Sequence, residues 1–314
     1  QAHADQPPAG RHRPGRLVGH GRRGRPCRGP HGPLHRPHLH RGRRIQRRDP
    51  PGHQGRNASG GINGQQVVLK TANDEYKPDQ AVALFRQLAA ENTIATLLPV
   101  GSPAMGLILK EGLPETLKLP IIGLIPAAEP FRTPLNPYVY HVRAGDLAQY
   151  RKLVEHANTT GLKRIAVFYQ NDGFGKSGLD GVTNALKRAN LAPIAVGTVE
   201  RNSLDVAKAV ESISKTTPQA VVMVTLYKPT AAFVKAMKQI GQFPMFLTLS
   251  PVGGEVLAQE LGNDARGIGI SQVVPYPWND TIGVVREYQK LLDKQKDKFS
   301  YYGLEGYITA RLVT

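Results

Sequence analysis

The chain has 314 residues and a formal net charge of +17, with 41 basic and 24 acidic side chains. The excess lies in residues 1–56, which hold 14 arginines and two acids, so the remainder shows no basic footprint for nucleic acid. The single cysteine, Cys27, excludes an intrachain disulfide, and no apolar run is long enough for a membrane-spanning helix.

Residues 1–56 contain no aromatic ring of Phe, Tyr or Trp and hold eight of the ten histidines. We expect them to be disordered, because they cannot bury enough apolar surface to offset the entropy of ordering. Three interpretations remain open. The runs GRRGR and RGRR would suit an RNA-binding arm. A metal-binding tract would use the clustered His31, His35, His38 and His40. The third interpretation is a GC-rich gene read out of frame, which the abrupt change to globular sequence at Asn57 favours.

From Asn57 onward, apolar segments of strand length alternate with amphipathic segments of helix length. A turn is predicted over 57–64, and a helix over 78–91 with Ala81, Leu84, Phe85 and Leu88 on one face. The further strands predicted in this half are 65–71, 94–100, 120–125 and 138–142. The further helices are 102–117, interrupted at 112–114, and 146–156.

The stretch 162–179 begins with a strand, 164–169, whose residues are apolar almost throughout. Such a strand is buried on both faces, as in parallel sheets. Its loop, 170–175, is a candidate wall of a binding cleft, since ligands bind at the carboxyl ends of parallel strands. The same unit recurs, with strands 193–198, 220–226, 244–249 and 267–274, and helices from 176, 203–214, 229–240, 254–261, 282–294 and 304–313.

This alternation predicts an α/β fold in which parallel sheets are flanked by helices. The units are too many for one small sheet, so we expect two α/β lobes.

Several segments carry a family resemblance: NASGGING and QQVVLKTAND, then EYKPDQAVALFRQL, LNPYVYHVRAG, FYQNDGFGKSGLDGV and VVMVTLYKPTAAFVKAMKQIG. Together they resemble the branched-chain amino-acid-type (type I) periplasmic solute-binding proteins of ABC transporters, over about residues 57–314. The resemblance implies two lobes, joined by three crossing segments, that close by a hinge on a ligand held between them. Lobe one would be 57–142 with 276–314, and lobe two 143–275.

The resemblance also carries expectations about the ends of the chain. We expect the family's first strand and helix to have no counterpart in residues 1–56, and the family's C-terminal part to be cropped after Thr314. It implies a periplasmic location, although no apolar leader is visible at the N-terminus.

The family's ligand contacts map onto seven residues. Gly101 and Ser102 open a helix at a strand end, where a hydroxyl and free backbone N–H groups would hold a carboxylate; the alternative is a plain N-cap. Ala127 would add a backbone amide from a loop that here lacks the family's hydroxyl. Asp146 matches an acidic position near a ligand ammonium, or else serves as an N-cap.

The other three candidates, like Asp146, belong to the second lobe. Phe174 matches an aromatic position that covers the ligand, with local packing of a loop residue as the alternative. Tyr227 matches an aromatic at the cleft rim, with packing between the lobes as the alternative. Ser250 stands where amino-acid binders carry a Glu for the ammonium, and a serine supplies no charge. We therefore expect an organic acid or a neutral amide in place of a simple α-amino acid.

Catalysis and nucleotide binding have little support in residues 57–314. A phosphate loop is excluded because Gln170 stands where GxxxxGK[ST] requires glycine. This part has no cysteine and only two histidines, His141 and His156. Asp172 and Asp180 are more typical of helix-end charges than of an acid pair. We expect no enzyme, cofactor or metal site.

The leading hypothesis is therefore the solute-binding component of an ABC importer, which captures a small amino-acid-like or organic-acid ligand and presents it to the permease subunits. It involves no nucleic acid and no membrane span. The alternatives are a ligand-sensing regulatory module of the same fold, and nucleic-acid binding through residues 1–56.

Overall fold

The computed structural model describes residues 57–58 and 60–313. The expectations about residues 1–56 therefore lie outside the described part. Eight strands are described: β1 (Thr96–Leu97), β2 (Ile121–Ile122), β3 (Val139–Tyr140), β4 (Ile165–Gln170), β5 (Val196–Val199), β6 (Ala220–Val224), β7 (Met245–Thr248) and β8 (Ile268–Ile270). All pair in parallel, in two separate sheets.

In the described part of the chain, ten α-helices connect and flank these strands. They are α1 (Pro78–Ala90), α2 (Ser102–Lys110), α3 (Leu113–Thr116), α4 (Asp146–Thr159), α5 (Gly173–Arg188), α6 (Ala207–Ser214), α7 (Tyr227–Gln239), α8 (Gly254–Leu261), α9 (Gly283–Leu291) and α10 (Tyr301–Arg311). Among the described residues, no helix combines the length and the apolar character needed to cross a bilayer.

The second sheet has five strands in the order β5-β4-β6-β7-β8. Successive residues of β4 and β6 point alternately into two apolar cores, which confirms burial on both faces. One core includes residues of α4 and α5, and the other residues of α6, α7 and α8. In the latter, Phe168 of β4 stacks on Phe233 of α7 with ring centroids 4.2 Å apart. This sheet and its helices, 146–270, are called the second-sheet region below.

The first sheet has three strands in the order β1-β2-β3, each only two residues long. Helices α1 and α2 cover it through Phe85, Met105 and Ile108. The strand predicted over 65–71 is wrong, because its only ladder contact is an isolated bridge between Ile62 and Gln65. No described strand pairs with the outer side of β1. The backbone of Val67 is instead bonded at both N–H and C=O by the side-chain amide of Asn57, at 2.8 and 2.9 Å.

The C-terminal helix α10 packs back onto the first sheet. A Cβ atom added at Gly123, just after β2, would lie 2.7 Å from the hydroxyl oxygen of Thr309 on α10. Gly123 also has a φ of +71°, which favours glycine. Helices α9 and α10 share an apolar cluster with Phe299 and Trp278. The elements of 57–140 and 283–311 are called the first-sheet region below.

Candidate ligand-binding site

The first candidate wall is the start of α2, which follows β1. Gly101 is the N-cap, with a φ of +102°, and Ser102 is the first helical residue, followed by Pro103. The alternative reading of Ser102 as a plain N-cap is therefore wrong. The interruption predicted at 112–114 is confirmed, because α2 ends at Lys110 and Gly112 adopts a left-handed conformation before α3. Ser102 is buried, and its hydroxyl has no hydrogen bond to another described residue.

A narrow cavity, too tight to admit a water molecule, lies beside this helix start. It is lined by Gly101, Pro103 and Ala104 from α2, by Asp74, Tyr76, Pro78 and Val100 of the first-sheet region, and by Arg201 of the second-sheet region. The first turn of α2 presents backbone N–H groups and a positive helix end, and Arg201 adds a guanidinium across the cavity. The α2 start and Arg201 suit an anionic group, whereas Asp74 adds an acidic residue to the same lining.

The ring of Tyr76 packs so closely on Gly101 that a Cβ there would lie 3.1 Å from Cε2 of the tyrosine. The Gln170 side chain donates a hydrogen bond to the Tyr76 hydroxyl at 3.3 Å, and the Arg201 guanidinium lies 5.4 Å from the ring centroid. Burial, reinforced by the nearby Asp172 carboxylate, raises the pKa of Tyr76 to about 12. Tyr76 therefore stays neutral at physiological pH.

A second set of hydrogen-bonded polar residues connects three of the candidate ligand-binding residues. The Asp146 N–H donates to the carbonyl of Ala127 at 2.9 Å, and the Gln149 amide donates to the Asp146 carboxylate at 3.3 Å. The Gln149 side-chain oxygen accepts from the N–H of Ser250 at 3.1 Å and from its hydroxyl at 2.9 Å. It also accepts from the Ser271 hydroxyl at 3.0 Å. Gln149, which the sequence analysis missed, thus links Ala127, Asp146 and Ser250.

The Asp146 carboxyl group is 4% exposed and makes no direct ion pair among the described residues. Burial raises its pKa to about 6, although Arg143 and Arg132 act in the opposite direction. Its alternative role as an N-cap is wrong, because Gly145 occupies that position.

Next to this group lies a small cavity of about 10 Å³, where the segments between the sheets meet α8 and α10. Its lining is Arg143, Ser250, Gly254, Glu255, Gln272, Val273, Val274, Tyr301, Tyr302 and Glu305. Arg143 and Glu305 form a buried bidentate ion pair, with N–O distances of 2.8 and 2.9 Å. The hydroxyl of Tyr302 donates to the Ser250 carbonyl at 3.1 Å. Ser250 is therefore fully engaged within the protein.

Phe174 and Tyr227 do not meet in the structure. Phe174 packs in the core shared with α4 and α5, and Tyr227 in the core on the opposite face of the same sheet. Both are about nine-tenths buried, and neither lines the two cavities. This geometry does not bring them together as a clamp.

The residues that sequence reasoning missed are polar positions inside apolar patterns. Gln149 stands on the buried face of α4 with Tyr150, Leu153 and Val154. Gln170 ends an otherwise apolar strand. Such interruptions are a usable signal for a polar site, because a buried polar group requires a partner. Among the described residues, no group of three or more His, Cys, Asp or Glu side chains could hold a metal ion.

A family model described as periplasmic binding protein matches residues 56–314. The chain belongs to this family. The fold is that of the two-lobed type I periplasmic binding proteins, as the resemblance implied. No curated protein matches the chain.

Three solved structures illustrate the relationship. A substrate-binding periplasmic protein from Ralstonia solanacearum is 29% identical, with a TM-score of 0.77, over 84% of this chain and 75% of that one. An extracellular ligand-binding receptor from Verminephrobacter eiseniae is 28% identical, with a TM-score of 0.73, over 83% and 76%. A possible leucine/isoleucine/valine-binding protein from Rhodopirellula baltica is 26% identical, with a TM-score of 0.76, over 83% and 72%.

Proposed function

We propose that the protein is the solute-binding component of an ABC importer, and that it captures a small organic acid between the two sheets. One observation carries this proposal: the start of α2, with its buried Ser102, opens on a cavity that Arg201 of the second-sheet region also lines. Backbone N–H groups at a helix start and a guanidinium both favour a carboxylate.

The ligand acid group would be held from the first-sheet region by the N–H groups after Gly101 and by the Ser102 hydroxyl. Ser102 is suited to this role because its hydroxyl makes no capping hydrogen bond to the helix and so can donate to a ligand oxygen. Ala127 would contribute only through its backbone.

The properties of Ser250 support an acid without a paired ammonium. Its hydroxyl and N–H are both bonded to Gln149, so it offers neither a charge nor a free donor to a ligand. Asp146 is an acid, but its raised pKa weakens it as a partner for a cation near pH 6. The Rhodopirellula baltica relative is described as possibly binding leucine, isoleucine or valine, so those amino acids belong in any test as competitors.

The division into lobes at 142/143 and 275/276 is part of the same proposal. The α9–α10 pair packs with the first sheet although it follows the second sheet in sequence, which supports that division. The family also suggests that the protein works in the periplasm and delivers its ligand to permease subunits.

A thermal-shift screen with calorimetry tests the proposal. Carboxylic acids should raise the melting temperature more than their primary amides and more than leucine, isoleucine or valine. For the best acid, Ser102→Ala should weaken binding by about 1.5–3 kcal/mol, the range for a hydrogen bond to a charged group. The matched control is Ser212→Ala, which removes an exposed serine of α6. Unchanged affinity in Ser102→Ala would refute the assignment of Ser102, and a preference for leucine would refute the ligand class.

A further inference from the structure

Tyr76 connects the two regions of the molecule. It lies two residues before α1, which covers the first sheet, but its side chain contacts Gln170, the last residue of β4, and Arg201, which follows β5 of the second sheet. Gln170 donates to its hydroxyl, and Arg201 lies over its ring. These residues are 94 and 125 positions away in sequence, so the contact reflects tertiary arrangement and not local folding.

The second-sheet side of this contact is itself ordered by hydrogen bonds. Asp172 caps α5 by accepting from the N–H groups of Phe174 and Gly175. Its other oxygen accepts from the Gln170 amide at 2.6 Å and from Arg201 at 3.1 Å. Asp172 therefore fixes both groups that touch Tyr76. Arg201 can reach the ring without leaving its carboxylate partner.

The first-sheet side is fixed by an unusual backbone. Glu75 and Tyr76 both have positive φ, at +50° and +56°. Residues other than glycine rarely adopt this conformation, and two in succession require support from their surroundings. The Asp74 carboxylate gives that support by accepting from the Tyr76 N–H at 2.8 Å. The strained turn holds the ring against Gly101, at the edge of the cavity beside α2.

We propose that Tyr76, Gln170, Asp172 and Arg201 form a clasp between the two regions that stabilises the closed arrangement of the cleft at the α2 cavity. The clasp regulates the cleft of the proposed function and in that sense rests on it. In the closed state the ring stands between the α2 start and Arg201, so an incoming acid has to displace Tyr76 to reach the guanidinium. Ligand entry then depends on the fraction of molecules in which the clasp is open.

Pulsed electron resonance on the ligand-free full-length chain tests this proposal. Spin labels would be placed at Thr116 of α3 and Lys208 of α6, both exposed, in a Cys27→Ser background. The parent should give one dominant distance. Tyr76→Ala should increase the population of a second, different distance at least fivefold, and Arg201→Met should do the same.

The clasp also predicts how the variants combine. Tyr76→Ala with Arg201→Met should open the cleft little more than Tyr76→Ala alone, because both remove the same contact. Tyr140→Ala is the matched control, since it truncates an exposed tyrosine of β3 and should leave the distances unchanged. Tyr76→Phe, which loses only the bond from Gln170, should give an intermediate population and covers the case in which Tyr76→Ala misfolds.

Identical distance distributions in the parent, Tyr76→Phe and Arg201→Met would overturn the clasp. Equal opening in Tyr140→Ala would overturn it as well. Because the measurement uses no ligand, it does not depend on whether acids bind. A failed acid screen with an intact clasp would refute the ligand class alone, and a closed cleft in all variants would refute the clasp alone.

Discussion

The two parallel sheets use the same strand–helix unit, but they differ in how completely their polar groups are paired. β4 and β6 have five or six residues each and pair on both sides, whereas the strands of the first sheet have two. Three buried side-chain atoms lack a hydrogen-bond partner among the described residues: Glu115 Oε2, His141 Nδ1 and Thr309 Oγ1. All three belong to, or immediately follow, elements of the first-sheet region. The same local pattern therefore gives a stable sheet only where neighbouring strands complete its pairing on both sides.

The largest expected consequence is a difference in amide exchange. Val221, Val222 and Met223 of β6 are fully buried and have strand partners on both sides. Their amides should exchange at least about a thousandfold more slowly than those of Leu97 and Ile122, which corresponds to about 4 kcal/mol of local opening free energy. Exchange followed by mass spectrometry measures this. Equal protection in the two sheets would show that the comparison is wrong.

The buried ion pair between Arg143 and Glu305 tests whether the weaker region depends on a single tertiary link. Glu305→Gln leaves the Arg143 charge without its carboxylate and should cost about 3 kcal/mol. The loss should appear in the first-sheet region, because Glu305 lies on α10. Fluorescence of Trp278, the only tryptophan and a neighbour of α10, reports that region during denaturant unfolding.

The matched control for this change lies on the surface of the same helices. Glu287 of α9 pairs with Arg311 of α10, and both side chains are about half exposed. Glu287→Gln should therefore cost less than about 1 kcal/mol. A similar loss in the two variants would mean that burial does not decide the strength of these pairs.

The success of sequence prediction follows the same division. The helix predicted over 254–261 has those bounds in the structure. The strand predicted over 164–169 is shifted by only one residue, because a strand buried on both faces is apolar throughout and is easy to locate in the sequence. In the first sheet, the strands predicted over 94–100 and 120–125 have only two residues each in the structure. A strand's length depends on its pairing partners, which one segment does not encode.

The candidate site was only partly predictable for a related reason. Gly101 and Ser102 could be placed because the strand–helix junction is local. The link from Gln149 to Ser250 joins residues 101 positions apart, and Arg143 meets Glu305 across 162 positions. Phe174 and Tyr227 were chosen from positions in a family, but sheet geometry puts them in different cores.

Asp146, at the junction of the two regions, should give a smaller, pH-dependent effect. Its pKa is raised from 3.8 to about 6, mainly by burial, while Arg143 and Arg132 favour the charge and Glu129 opposes it. Between roughly pH 4 and 6 the folded protein therefore binds more protons than the unfolded chain. The stabilisation that comes from protonating Asp146 is complete below about pH 4 and is lost as the pH rises through 6. Asp146→Asn should remove this slope and stabilise the protein by about 2 kcal/mol at pH 7.

Denaturant unfolding of both proteins at several pH values between 4 and 8 checks this, with Asp180→Asn on the exposed side of α5 as the control. The difference between Asp146→Asn and the parent should grow with pH and level off above about pH 7. A constant difference would show that Asp146 acts through packing or hydrogen bonding and not through its charge.

The smallest effect concerns the helix that completes the first-sheet region. Ser300 is the N-cap of α10, and its hydroxyl accepts from the N–H of Gly303 at 2.9 Å. Ser300→Ala should cost about 1 kcal/mol, because one helix-end N–H loses its partner, whereas Ser300→Asp should retain most of the stability. If α10 and the first sheet unfold before the second sheet, this loss should appear in the Trp278 transition and leave exchange in β6 unchanged. A loss shared equally by β6 would instead mean that the two regions unfold as one cooperative unit.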